Sequence, residues 1–171
     1  MSETKCDKKS PFPESVNVVS KEGDMFAVPG KLAAMSELLQ TMMYDKREDE
    51  DEDEVQVLPA PNVDSATLAK VFTFLNLCDV NGPMRAIKKP LRSENIGELV
   101  DPWAAEFVAG LDKEMLFKLT NAAVYLDIIS LINLCCAKIA SMFKGKSEEQ
   151  ILTTFEITNT VNQKTCKDGS T

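Results

Sequence analysis

The residue types that most often do chemistry in proteins are sparse in this chain. Histidine is absent from all 171 residues, which removes Ser-His and Cys-His nucleophile pairs and every His-bearing zinc site. The cysteines number five, with none in a CxxC spacing, and fit a reducing compartment. Adjacent Cys135 and Cys136 would point about 100° apart on a helix, an arrangement that disfavours a bond between them. Both read as small apolar fillers. The densest set of oxygen ligands is the run 45–54, DKREDEDEDE, where Asp49, Asp51 and Asp53 alternate as in an EF-hand loop. Such a loop needs Gly where this chain has Glu54 and Glu where it has Ala60. The run therefore reads as a solvated loop, and neither a metal nor another cofactor is expected. Arg85, Lys88, Lys89 and Arg92 make one stretch basic, but no aromatic residues interleave and the net charge is −8. Neither nucleic acid nor an anionic membrane is expected as a partner. The lone Trp103 reads as a core anchor rather than a stacking platform. With no Gly-rich phosphate loop either, the pattern points to binding rather than catalysis.

The elements that must position any binding surface are organised around 115–146, the longest apolar stretch. Leu116, Leu119, Ala123 and Leu126 recur at helical spacing in its first half; Ile128, Leu131, Ile132, Cys135, Ile139 and Met142 do so in its second. Asp112 and Asp127 are placed to cap the two helices, and Gly145 between Lys144 and Lys146 to end the second. Lys118, Asp127 and Lys138 interrupt the run, which argues against the membrane span that about 18 apolar residues would allow.

Before this hairpin, 16–19 and 25–28 read as two strands around the turn Lys21-Glu22-Gly23-Asp24. Leu32, Met35, Leu38, Leu39 and Met42 mark one face of a single helix. Val55 to Leu58 alternates like a strand that stops at Pro59, and Leu68, Val71, Phe72 and Leu75 mark another helix. From Asp79 to Val100 periodicity is lost, and Gly82-Pro83 and Pro90 suggest a linker. Ser147 to Gln150 reads as a capping box opening a short helix with Ile151, Leu152 and Phe155. The polar N-terminus lacks the apolar region of a cleaved signal. Hydrophobic residues at 44% and charged residues at 27% are an ordinary globular balance, enough for one domain with a small appendage.

The residues Leu116-Phe117, Ala122-Ala123, Tyr125-Leu126-Asp127-Ile128, Cys136-Ala137-Lys138 and Lys144-Gly145-Lys146-Ser147 stand in the order found in the S-phase-kinase-associated adaptor (Skp) family, which they resemble. Gly23, Phe26, Val28, Ser36, Thr41 and Met42 extend the resemblance upstream. So do the turn Pro59-Ala60-Pro61-Asn62-Val63 and the element Trp103, Glu106, Phe107. The resemblance implies a mixed α/β (α+β) fold of the BTB/POZ type, a small sheet flanked by helices with a short C-terminal helical extension. Its expected parts are a disordered N-terminus at 1–14 and a BTB/POZ-like domain at 15–143, with an acidic loop at 45–54 and a linker at 79–100. A helical extension at 144–159 and a disordered tail at 160–171 would follow.

The same resemblance implies a non-catalytic adaptor that links a cullin N-terminal region to F-box proteins in an SCF-type ubiquitin ligase of the cytoplasm and nucleus. Carried over by position, the cullin contacts are Val124 and Tyr125. The F-box contacts are Leu134, Ile139, Met142, Phe143, Ile151, Phe155 and Ile157. Three departures stand out. Val124 replaces the family's Asn before the hub Tyr, so cullin binding is expected to be weakened or tuned to a divergent cullin. Residues 160–171 lack the family's Trp-Cys helix that helps clasp the F-box, and Glu148 replaces a Pro that is hydroxylated in some members. An elongin C-like or pseudo-adaptor module, holding another box motif or forming a homodimer when unpartnered, is the alternative these departures keep open.

Overall fold

Val16 and Val18 are buried at alternate positions of the run 15–19, and this period-two pattern sets the first element of the structure, a computed structural model describing residues 11–46, 55–88, 93 and 95–155. Strand β1 (Ser15–Val19) buries Val16 and Val18 and pairs antiparallel with β2 (Met25–Pro29), Val16 opposite Val28 and Val18 opposite Phe26. The turn between them uses Gly23 at φ 91°, a conformation that only glycine adopts without cost. Strand β3 (Val57–Pro59) lies parallel to β1 on its other side, in the order β2-β1-β3. Pro59 has no N–H to donate, which an edge strand tolerates, and Ala60 N–H donates to the Val19 carbonyl at 2.7 Å instead. The strand starts two residues later than the alternation from Val55 suggests, although Gln56 still accepts from Asn17 N–H at 2.8 Å.

The single helix expected across 32–42 is two. Helix α1 (Gly30–Ala33) ends in a turn, and α2 (Glu37–Lys46) starts afresh. The cause is Ser36, whose hydroxyl accepts from Leu39 N–H at 3.2 Å and restarts the helix as its N-cap. The break rotates the buried face: Leu39 and Met43 are interior, while Met35 is 39% exposed. Gly30 is required by close approach, because a Cβ there would lie 2.0 Å from the Pro13 carbonyl oxygen.

Helix α3 (Ser65–Asn81) buries Leu68, Val71, Phe72 and Leu75 as their spacing predicts, together with Phe74 and Cys78. It runs into the stretch expected as linker and stops at Gly82, φ 84°. That stretch also contains α4 (Ile96–Leu99), capped by the Asn95 side chain accepting from Gly97 N–H at 3.0 Å. Ile96 and Val100 are buried, so two apolar anchors four residues apart hold one helical turn where polarity masks the period. Arg85 is tied back to Asp101, Nε to Oδ1 at 2.5 Å and backbone N–H to Oδ2 at 2.9 Å. Helix α5 (Pro102–Ala109) sets Trp103 and Phe107 against Phe74, ring centroids 5.9 and 5.6 Å apart. Trp103 is thus a half-buried packing residue, and Ala104 is fully buried, where a charge would be costly.

Helices α6 (Lys113–Tyr125) and α7 (Ile129–Phe143) form the expected hairpin. The Asp112 side chain accepts from Met115 N–H at 2.7 Å as the α6 cap. Leu116, Leu119, Ala123 and Leu126 are buried. Asp127 does not cap α7. It adopts φ 52°, a left-handed conformation that Asp tolerates better than most residues, and the N-cap is Ile128, without a side-chain bond. Ile128 N–H donates to Ala123 carbonyl at 2.9 Å and Asp127 N–H to Val124 carbonyl at 3.2 Å, the two bonds of a Schellman motif. The interior face of α7 is Leu131, Leu134, Cys135 and Ala137; Ile132, Ile139 and Met142 are only half-buried, and Cys136 is exposed. Of the paired cysteines only Cys135 is a core filler, its thiol pushed up to about 12 by burial. Helix α8 (Glu148–Phe155) follows a turn with Gly145 at φ 74°. Its capping box forms reciprocally: Ser147 N–H donates to Gln150 Oε1 at 3.0 Å, and Gln150 N–H to Ser147 Oγ at 3.4 Å. Of the acidic loop expected at 45–54, residues 45 and 46 belong to α2, and 47–54 lie outside the described residues.

Candidate functional site

Tyr125, the last residue of α6, is half-buried and lines an open groove of about 240 Å³. Lys118, Asn121 and Ala122 line the same wall, at the i, i+3, i+4, i+7 spacing that puts residues on one helical stripe. The opposite wall comes from the turn after β3 and the start of α3: Asn62, Val63, Asp64 and Thr67. That turn is pinned by Val63 N–H donating to the Ala60 carbonyl at 3.1 Å and Lys21 N–H to the Val63 carbonyl at 2.9 Å. Asp64 caps α3, accepting from Thr67 N–H at 2.7 Å, and hydrogen bonds from Thr67 hold its carboxyl below the usual range. Lys118 pairs with Glu114 at 2.7 Å, which raises its pKa. The groove is therefore mostly polar, with Tyr125 as its one aromatic lining residue.

Val124, the neighbour of Tyr125, is 60% exposed. It sits on the adjoining stripe of α6 with Asn121 and the 41% exposed Phe117. Both residues expected at the first contact surface are thus accessible on the same helix end, Val124 exposed and Tyr125 lining the groove. Lys118 and Asn121 were legible in principle from their spacing to Tyr125. Asn62 and Asp64 were not, since only the fold brings the β3–α3 turn against α6.

The second set of expected contact residues is divided. Leu134 is fully buried and cannot meet a partner here; its side chain supports α7 from within, because the interior face is rotated from the one the spacing suggests. Ile139, Met142, Phe143 and Ile151 are half-buried along the end of α7 and the start of α8, accessible but not free-standing. Phe155 closes α8, its side chain not described, and Ile157 lies outside the described residues.

Sequence comparison adds an independent line. The family model for the Skp1 family, tetramerisation domain, matches residues 14–79, and that for the Skp1 family, dimerisation domain, matches residues 130–163. The chain is 36% identical over 144 residues to the S-phase kinase-associated protein 1 homolog of Tetrahymena thermophila, covering 84% of this chain and 82% of that one. It is 32% identical to a Skp1-related protein of Caenorhabditis elegans, over 84% of this chain and 81% of the other. It is 31% identical to the E3 ubiquitin ligase complex SCF subunit sconC of Arthroderma otae, over 84% and 83%.

Proposed function

This chain belongs to the Skp1 family, and from that premise we propose that it is a non-catalytic adaptor of an SCF-type ubiquitin ligase. One surface, Val124 and Tyr125 at the end of α6, meets the N-terminal region of a cullin. The other, Ile139, Met142 and Phe143 of α7 with Ile151 and Phe155 of α8 and the following Ile157, meets an F-box. The mechanism is positional: the end of α6 and the α7–α8 surface hold two partners on one adaptor, and many F-box proteins can share it. The relative named as an SCF subunit supports the reading.

The observation that carries it is Tyr125, a half-buried aromatic lining a polar groove, next in sequence to an exposed Val124. Interface anchors have this form, a large amphipathic ring in a partly desolvated setting. Val124 itself favours a second reading, a pseudo-adaptor or elongin C-like module with another partner, because it removes the amide expected there.

The test is titration of the full chain against a cullin N-terminal region and, separately, an F-box. Tyr125→Lys should abolish the first and leave the second unchanged. Cullin binding by Tyr125→Lys at wild-type affinity would refute the assignment.

A further inference from the structure

We draw no further inference here: the strongest candidate, the sheet edge at β2, where Met25, Ala27 and Pro29 stand exposed beside half-buried Val19 of β1, carries nothing because nothing in the structure shows what covers it.

Discussion

Ser36→Ala removes one hydroxyl from the junction between α2 and the α6–α7 turn, and the structure supplies the terms of its cost. The hydroxyl is fully buried. It donates to the Leu126 carbonyl at 2.5 Å and accepts from Leu39 N–H at 3.2 Å. Losing the second bond removes the α2 N-cap, a change typically costing about 1 kcal/mol. Losing the first leaves the Leu126 carbonyl with only the long bond from Leu38 N–H, and an under-satisfied buried acceptor costs about 1–3 kcal/mol. Because one side chain makes both bonds, the sum is not strictly additive, and the expected loss is about 2–3 kcal/mol. For a chain of this size, that lowers the midpoint of thermal unfolding by roughly 4–12 °C. Urea denaturation followed by far-UV circular dichroism checks it, with the slope unchanged. A loss below about 0.5 kcal/mol, the range of an ordinary surface change, would refute the view that this hydroxyl fixes the turn.

Leu119→Ala, at a fully buried position, should cost about 2–5 kcal/mol on chemical denaturation. Ile132→Ala should cost clearly less, because Ile132 is only half-buried and solvent fills part of the space left behind. Gly30→Ala should destabilise by about 1–3 kcal/mol, since its Cβ would meet the Pro13 carbonyl at 2.0 Å and backbone must move; an unshifted midpoint would mean the N-terminal segment does not pack there. Asp64 and Glu22 both have lowered pKa values, Asp64 through Thr67 and Glu22 through Ser65 N–H at 2.8 Å. Their contribution is complete above the ordinary values of 3.8 and 4.5 and is lost as pH falls through the lower folded values. Urea midpoints should therefore be flat near about pH 6 and decline below about pH 4.

Much of the architecture could be read from local pattern, because it rests on interactions within a few residues. The β1–β2 hairpin follows from Val16, Val18, Val28 and Gly23, and α6 from its apolar stripe and the Asp112 cap. The capping box at Ser147 and Gln150 involves only neighbours in sequence. Tyr125 and Val124 were singled out by resemblance; Tyr125 lines the groove, and Val124 lies outside its lining.

What periodicity could not supply depends on contacts between distant segments. Ser36 looks like any polar residue in a helical run; it breaks the run because the carbonyls of Leu126 and Asp127 are there to receive α2. Asp127 looks like a cap, but a hairpin this tight needs one left-handed residue, and the Schellman bonds decide that it is Asp127. Leu134 and Ile132 are equally apolar in sequence. The direction from which α6 and the core approach α7 buries the first and half-exposes the second, and a rotation of one helical stripe is invisible to composition. Asn62 and Asp64 join Tyr125 only because β3 runs parallel to β1 and delivers α3 against α6. Residue type therefore determines which groups are able to bind, and the packing of helices determines which of them face the same space.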